Sequence, residues 1–160
     1  MRRPAVLVTG GAKRIGAAIS RRFGAAGWHV LIHCNRSVAE ARALAEALPS
    51  AEVVRCDLAD GDAAIAMVDD LAGRLEQWRA LVNSASVFRP AHATALDIGC
   101  NWEAMQVNAC TPAMMAQTYL KRAQSEAGRR VIQLTDQKLA NPNPDFFSYT
   151  LSKHAVAAAA

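Results

Sequence analysis

The sequence contains no apolar run of the roughly 20 residues that a membrane-spanning helix needs. Its first residues, Met1 to Pro4, lead directly into an apolar strand pattern rather than into the core of a signal peptide. We therefore expect a cytoplasmic protein without membrane contact. The chain has only four cysteines, with neither C-x-x-C spacing nor a neighbouring histidine cluster. They are interpreted as reduced thiols, and no metal site is predicted.

Aromatic residues are also scarce, at 6% of the chain, and the basic residues behind the net charge of +4 are not interleaved with them. An interface with nucleic acid normally brings the two together. We therefore expect a small-molecule partner and no nucleic acid. The sequence lacks internal repeats and low-complexity linkers, which predicts a single domain over residues 1–160.

Apolar strand patterns alternate with helical patterns along the whole chain, and 52% of the residues are hydrophobic. The predicted strands cover residues 4–9, 28–34, 52–56, 79–83 and 130–135. The predicted helices cover residues 14–26, 37–48, 60–77, 102–124 and 148–160. Ser37 and Glu40 have capping-box spacing, and Pro112 is expected to bend the fourth helix. The alternation predicts a doubly wound, Rossmann-type α/β domain with a parallel sheet of order 3-2-1-4-5.

The first strand runs into a glycine-rich turn that opens a helix, the arrangement that binds a pyrophosphate. Gly10, Gly11 and Gly16 would let the backbone approach phosphate oxygens, and the helix starting near Arg14 would offer free N–H groups. The strict G-x-G-x-x-G pattern is not matched, and Arg14 stands where a further glycine is expected. An ordinary strand-to-helix turn is the alternative.

The second strand ends without the carboxylate that would hold the ribose hydroxyls of NAD. It ends instead in His33-Cys34-Asn35-Arg36-Ser37, and Arg36 with Ser37 can bind a 2′-phosphate while Lys13 and Arg14 add charge nearby. These residues predict NADP(H), the alternative being a helix-capping turn that carries an arginine. Asp57, after the third strand, could contact the adenine or cap a helix.

Tyr149 and Lys153 are four residues apart and therefore share one face of the last helix. A lysine beside a tyrosine favours the phenolate, so we expect a lowered pKa for Tyr149 and proton transfer near neutral pH. The pair alone is common by chance. Its position after five alternating strands makes it informative.

Together these motifs resemble the short-chain dehydrogenases/reductases, and within them the pteridine reductases and the bacterial dihydromonapterin (alternative dihydrofolate) reductases. The general resemblance is carried by Thr9-Gly10 to Gly16, Asp57-Leu58, Asn83-Ser84-Ala85, Asn108, and Tyr149 with Lys153. Four departures from the general pattern resemble pteridine reductases: Lys13-Arg14, His33-x-x-Arg36-Ser37, Phe88 in Val82 to Phe88, and Asp136 where serine is usual.

The resemblance implies an NADPH-dependent oxidoreductase that reduces a ring C=N bond of a pteridine, such as a dihydropterin or dihydrofolate, in a homo-oligomer. It implies proton donation by Tyr149, relay by Asp136, a ribose contact from Lys153, and support of Lys153 by Asn108 through water. Ser86 and Phe88, with Asp136 and Tyr149, would bind the substrate. The implied cofactor contacts, besides Tyr149 and Lys153, are Gly10, Lys13, Arg14, Ile15, Gly16, His33, Asn35, Arg36, Ser37, Asp57, Leu58, Asn83, Ser84, Ala85 and Ser86.

Two other functions remain open. The same Tyr149 and Lys153 would serve a general carbonyl or 3-oxoacyl thioester reductase, and Phe88 and Asp136 would then be a core aromatic and an Asx turn. The other alternative is a non-catalytic NADP(H)-binding module. The chain stops at Ala160 inside the Tyr149 helix, so the resemblance implies that the C-terminal part of the family fold is missing. We therefore expect a fragment that is a poor catalyst by itself.

Overall fold

The structure, a computed structural model, describes residues 3–159, so that Met1, Arg2 and the predicted helix end at Ala160 lie outside it. The five strands are β1 Ala5–Val8, β2 His29–Cys34, β3 Ala51–Arg55, β4 Trp78–Asn83 and β5 Arg130–Gln133. The six α-helices are α1 Arg14–Ala25, α2 Val38–Glu46, α3 Gly61–Arg74, α4 Ile98–Met105, α5 Thr111–Arg122 and α6 Phe147–Ala158. Across residues 3–159, none of these helices is both long and apolar enough to cross a bilayer.

All the strands pair in parallel in the order β3-β2-β1-β4-β5, which confirms the predicted fold class. Val8, the last residue of β1, pairs with Ile32 on one side and with Val82 on the other. After β1 the chain continues to β2 on one side, and after β4 it continues to β5 on the other side. The loops that follow β1 and β4 therefore diverge, and a crevice opens between them at the carboxyl ends of these strands. A ligand of such a sheet lies in this crevice.

The apolar strands are buried on both faces of the sheet. Leu7, Leu31 and Leu81 pack in a cluster with residues of α3 and α5, whereas Val8 and Ile32 pack in a second cluster with residues of α1 and α2. Full burial of each such side chain stabilises the fold by about 1.5–3 kcal/mol. The two clusters hold β1 at the centre and fix the glycine turn that follows it.

One local prediction is wrong, and the effect of Pro112 falls in the turn before it. Ser37 precedes α2 but makes no capping hydrogen bond, because Glu40 pairs with the Lys13 ammonium (Oε1–Nζ 2.6 Å) instead of closing a capping box. The irregularity in the fourth predicted helix is a π-turn, Gln106–Cys110, which lies before Pro112 rather than at it. Proline has no N–H and its ring crowds the preceding turn, so the helical ladder changes there.

The four cysteines are free thiols. Cys34 and Cys56 are buried at the ends of β2 and β3, and burial raises the pKa of both thiols. They are therefore protonated at neutral pH and are poor nucleophiles. Within residues 3–159, no three His, Cys, Asp or Glu side chains are grouped so that they could hold a metal ion.

Candidate active site

The turn after β1 packs too tightly for side chains at two of its glycines. Gly10 has φ +60°, and a Cβ there would lie 3.0 Å from the Cα of Ala85 in the loop after β4. A Cβ on Gly16 would overlap the carbonyl oxygen of Gly10. The turn therefore lies directly between the start of α1 and the loop after β4, as a backbone phosphate site requires.

Arg14 is the one non-glycine residue of the described range, 3–159, with a positive φ, +50°. It occupies the position where the sequence lacks the expected glycine, and this conformation costs an L-residue about 1 kcal/mol. Strain of this kind is retained mainly where it serves a site. The first turn of α1 has neither a side-chain cap nor an acidic residue, and the side chain of Ile15 there is exposed. The helix start therefore suits an anion.

The ring nitrogens of His33 do not face a phosphate as predicted, although the residue lines the crevice; His33 is 2% exposed. Its Nδ1 accepts a hydrogen bond from the Gly10 N–H (3.1 Å), and its Nε2 donates to the Cys56 carbonyl (3.1 Å). Burial lowers the pKa of His33 to about 4, so the ring is neutral at physiological pH. Both ring nitrogens are used inside the protein, and neither is available to a ligand.

A crevice of about 370 Å³ opens above the carboxyl ends of the strands, and we refer to it as the cofactor cleft. The exposed Arg36 guanidinium has no ion-pair or hydrogen-bond partner anywhere in residues 3–159, and the Ser37 hydroxyl makes no capping bond. Two polar side chains therefore remain free at the end of β2. The predicted residues that line the cleft are Gly10, Lys13, His33, Asn35, Arg36, Ser37, Asp57, Leu58, Ala85 and Ser86.

The wall after β3 is held by its own hydrogen bonds. Asp57 accepts from the Ala59 N–H through Oδ1 (3.0 Å), which is the turn role left open for it. The Leu58 carbonyl accepts from the Thr111 hydroxyl of α5 (2.8 Å). This wall is thus tied to the helix that covers the sheet.

The loop after β4 is held by Thr9, to which the sequence reasoning assigned no role. The Thr9 hydroxyl accepts from the N–H groups of Ser84 (2.9 Å) and Ala85 (3.0 Å), and Asn83 donates to the Pro112 carbonyl (3.4 Å). A threonine at the end of a buried strand, directly before the glycine turn, is the signal that could have revealed it. These bonds place Ser84 and Ala85 against the turn.

The structure brings Asp136, Tyr149 and Lys153 together where β5 meets α6. The Tyr149 hydroxyl donates to Asp136 Oδ2 (2.7 Å), and Asp136 Oδ1 accepts from the Lys138 N–H (2.9 Å). The Lys153 ammonium donates to the Leu134 carbonyl (2.8 Å) and lies 5.5 Å from the centre of the Tyr149 ring. A phenol, a carboxylate and an amine therefore share one small site.

The predicted direction of the Tyr149 pKa shift is wrong. Burial, followed by the hydrogen bond to Asp136 and its negative charge, raises the pKa of Tyr149, and a hydrogen bond with Ser86 opposes this only in part. Lys153 is not among the groups that shift Tyr149, and its ammonium donates to the Leu134 carbonyl instead. Burial acts to raise the pKa of Asp136, but the N–H of Lys138, the Tyr149 hydroxyl and the nearby lysine charges bring it below its ordinary value. The stable pair is a neutral phenol donating to a carboxylate.

Asn108 lies in the π-turn and joins the loop after β4 to α6. Its Oδ1 accepts from the Val87 N–H (2.8 Å), and its Nδ2 donates to the Val87 carbonyl and the Ser152 hydroxyl (3.0 Å each). The direct contact with the Lys153 helix therefore runs through Ser152, which the sequence reasoning missed. A serine between Tyr149 and Lys153 on the buried face is the signal for it.

Phe88 is half exposed beside the Tyr149 hydroxyl rather than folded into the core. Its ring stacks on Phe146 (centres 4.2 Å apart, planes 6° apart) and meets Tyr149 edge to face (4.7 Å, 85°). The stacking partner Phe146 was not anticipated. The Phe88 loop is bound to the start of α6 through Ala91, whose N–H donates to the Asp145 carbonyl and whose carbonyl accepts from the Phe147 N–H (2.9 Å each).

Comparison with known proteins fits this arrangement. The profile of the short chain dehydrogenases matches residues 4–160. The chain belongs to the short-chain dehydrogenase family. This short-chain dehydrogenase resembles the structure of FolM alternative dihydrofolate reductase 1 from Brucella suis in complex with NADP, with a TM-score of 0.90 and 38% identity over 98% of this chain and 66% of that one.

Two further relatives carry different names. Pteridine reductase 1 of Leishmania tarentolae is 28% identical over 96% of this chain and 68% of its own length. The angucycline C-6 ketoreductase LanV with bound NADP has a TM-score of 0.85 and 27% identity, over 96% of this chain and 63% of that one. This short-chain dehydrogenase thus spans about two thirds of the length of these relatives.

Proposed function

We propose that this chain is the cofactor-binding and proton-donating part of an NADPH-dependent pteridine reductase, acting on dihydropterins such as dihydromonapterin, or on dihydrofolate. The observation that carries the proposal is the 2.7 Å hydrogen bond from the Tyr149 hydroxyl to the Asp136 carboxylate, beside the half-exposed ring of Phe88. Relatives named as a pteridine reductase and an alternative dihydrofolate reductase support the same substrate class.

The cofactor cleft fits NADP(H). Its glycine turn has no room for side chains at Gly10 and Gly16, and the first turn of α1 itself carries no acidic residue, although its N-cap residue Lys13 pairs with Glu40 of α2. The free side chains of Arg36 and Ser37 would hold the 2′-phosphate, and Lys13 and Arg14 would add positive charge. Ile15 and Asn35 would line the phosphate side, Asp57 and Leu58 the adenine, and Asn83 to Ser86 the nicotinamide end. When bound, NADPH supplies the hydride.

The residues around Tyr149 supply the proton and orient the substrate. Tyr149 holds a transferable proton on a neutral hydroxyl, which donates to Asp136, and a substrate nitrogen would take that proton in place of the carboxylate. A carboxylate accepts hydrogen bonds from ring N–H groups, which a pteridine has and a simple ketone lacks. Lys153, carried on the same helix, would contact the nicotinamide ribose, while Asn108 fixes that helix through Ser152.

Phe88 gives the site a flat apolar surface next to the proton donor. One face is stacked on Phe146, and the ring is still 54% exposed. A planar heterocycle gains most from such a surface, because aromatic rings stack with their planes parallel and slightly offset. Ser86 lines the cofactor cleft and hydrogen-bonds with Tyr149, and it would contact both ligands there.

A carbonyl or 3-oxoacyl thioester reductase is the second candidate function. It is favoured by the similarity to the LanV ketoreductase and by the same Tyr149 and Lys153. A non-catalytic NADP(H)-binding module is the third, because the chain spans only about two thirds of its relatives.

One experiment separates the three functions. NADPH is titrated against the purified chain by fluorescence, and dihydrobiopterin, dihydrofolate or acetoacetyl thioester is then added while NADPH absorbance is followed. Oxidation with the pteridines, and none in the Tyr149→Phe control, supports the proposal. Oxidation with the thioester alone contradicts it, and NADPH binding without any oxidation indicates a binding module.

We also propose that the chain assembles as a dimer or tetramer through α4 and α6. Ile98 and Trp102 are 65% and 70% exposed and lie four residues apart on α4. Large apolar side chains on one exposed helix face are typical of subunit interfaces. Light scattering at micromolar concentration should show an oligomer that Trp102→Glu dissociates, and a monomeric wild-type chain would contradict the proposal.

A further inference from the structure

His33 lies where three segments of the cofactor cleft meet, and its imidazole bonds to two of them. Nδ1 accepts from the Gly10 N–H of the glycine turn, and Nε2 donates to the Cys56 carbonyl at the end of β3, both at 3.1 Å. An amide N–H can only donate and a carbonyl can only accept. The two bonds therefore require a neutral ring with its proton on Nε2.

The main chain of His33 adds a third bond to the same turn. The Gly11 N–H donates to the His33 carbonyl at 3.0 Å. Two consecutive N–H groups of the turn, those of Gly10 and Gly11, therefore donate hydrogen bonds to the same residue. On the other side, Cys56 is followed directly by Asp57 and Leu58, which line the opposite wall of the cleft. The His33 ring thus spans the space between the turn and that wall.

We propose that His33 is a positioning residue that sets the spacing between the glycine turn and the Asp57–Leu58 wall, so that both ends of the adenosine-pyrophosphate portion of the cofactor bind together. The inference rests on the proposed NADP(H) function. Under it His33 acts through Gly10 and Cys56 and does not touch the ligand.

The physical reason is that no apolar side chain could replace the ring. Without it, the N–H of Gly10 and the carbonyl of Cys56 would be buried without these partners, and unpaired buried groups are strongly disfavoured. The turn and the wall would then separate or admit water. Either change alters the spacing between two parts of the cleft that must bind adjoining parts of one dinucleotide.

Two substitutions each remove one of the two hydrogen bonds that the His33 ring makes. The side chain of His33→Asn can place an acceptor near the position of Nδ1, which keeps the bond to Gly10 and loses the bond to Cys56. The side chain of His33→Gln reaches towards the position of Nε2, which keeps the Cys56 side and loses the Gly10 side. Each variant is titrated with NADPH and with adenosine 2′,5′-bisphosphate, a probe that lacks the pyrophosphate.

The two variants should give different ligand patterns. For His33→Gln we expect NADPH to bind about 10-fold more weakly and the bisphosphate to change by less than about 2-fold, because only the turn is released. For His33→Asn both ligands should weaken by about 5- to 10-fold, because the adenine wall is released. A merely structural role would weaken both ligands in the same proportion in both variants.

Tyr119→Phe is the matched control. Tyr119 is fully buried, and its hydroxyl donates to the Trp78 carbonyl (3.1 Å) at the opposite end of β4 from the cleft. The control removes a buried hydrogen bond and should lower stability while leaving both affinities unchanged. If it weakens both ligands as much as the His33 variants do, the effect is general destabilisation and the inference fails.

The outcomes for the inference and for the proposed function are separable. Wild-type binding of NADPH with unchanged affinities in both His33 variants overturns the inference alone. A wild-type chain that binds neither ligand overturns the proposed cofactor and this inference with it. If the variants do not fold, nitrogen NMR of the wild-type ring decides. Protonated Nε2, bare Nδ1 and a shift on binding NADPH support the inference, whereas a charged ring at neutral pH or no shift overturns it.

Discussion

The cofactor cleft lies over the centre of the sheet, whereas the Tyr149 site lies at its β5 edge. The strands β1 and β2 are buried almost throughout, whereas residues of β5 alternate between exposed and half buried. At the cleft, His33 and Thr9 pair the polar groups that surround them. Within residues 3–159, five buried side-chain oxygens have no hydrogen-bond partner: those of Gln133, Ser148 and Thr150 lie in β5 or α6, that of Asn83 at the end of β4 and that of Asn101 in α4.

The difference indicates that binding and chemistry depend on different parts of the chain. The cleft is shaped by a core that is complete around β1 and β2. The Asp136–Tyr149 pair stands at the margin of the sheet: Asp136 follows β5, which has one paired neighbour in the described residues, and Tyr149 lies on α6. Substitutions should therefore affect NADPH affinity and proton transfer separately.

The sharpest test of this separation is Tyr149→Phe. It removes the transferable proton and leaves the cofactor cleft intact, so we expect the rate of NADPH oxidation by a dihydropterin to fall about 1000-fold. NADPH affinity should not change, and both quantities can be read from one single-turnover experiment. A comparable loss of NADPH affinity would contradict the separation.

Arg36→Asp should change cofactor choice without affecting the Tyr149 site. The exposed guanidinium has no partner in residues 3–159, and replacing it with a carboxylate would repel a 2′-phosphate and favour ribose hydroxyls. We expect the preference for NADPH over NADH to fall about 100-fold, measured as the ratio of their dissociation constants. Arg21→Asp on α1 carries the same charge change and serves as the control. An unchanged ratio in Arg36→Asp would remove Arg36 from the phosphate site.

The pH dependence of stability should report the buried His33. Its pKa is about 4 in the folded state against 6.5 when unfolded, so the unfolded chain binds more protons between these values. This contribution to stability is fully present above pH 6.5 and is lost as pH falls towards 4. Between pH 7 and pH 5 the wild type should lose about 2 kcal/mol more than His33→Asn in urea unfolding. Equal losses would show that His33 is not held neutral.

Arg14→Gly should have the smallest effect on stability among these variants, and it should make the protein more stable. Glycine tolerates the positive φ at this position, and the relieved strain exceeds the added entropy of the unfolded chain by about 0.5 kcal/mol. NADPH should nevertheless bind several-fold more weakly, because a positive charge beside the phosphates is lost. A less stable variant would contradict the strain assigned to Arg14.

The fold was predictable because buried parallel strands appear as continuous apolar runs between amphipathic helices. That pattern predicted every strand and the strand order. It failed where the competing partner lies far away in sequence. Glu40 binds Lys13 rather than capping its own helix.

The candidate site shows the same limit. Motif positions located Asp136, Tyr149 and Lys153 together, but spacing alone suggested that Lys153 governs the Tyr149 pKa. In three dimensions Asp136 touches the hydroxyl while Lys153 binds the Leu134 carbonyl, so the shift reverses. Similarly, a histidine next to a phosphate motif gives no indication that its ring faces inward.

The Asp136–Tyr149 pair can be tested directly by following tyrosinate absorbance against pH. The chain has two tyrosines, and burial raises the pKa of Tyr119 to about 12, so a Tyr119→Phe background isolates Tyr149. Tyr149 should then ionise above pH 10, the ordinary value for tyrosine, and Asp136→Asn should lower its midpoint by about 1–2 units. A midpoint below 10 with Asp136 in place, or one that Asp136→Asn does not move, would contradict the account.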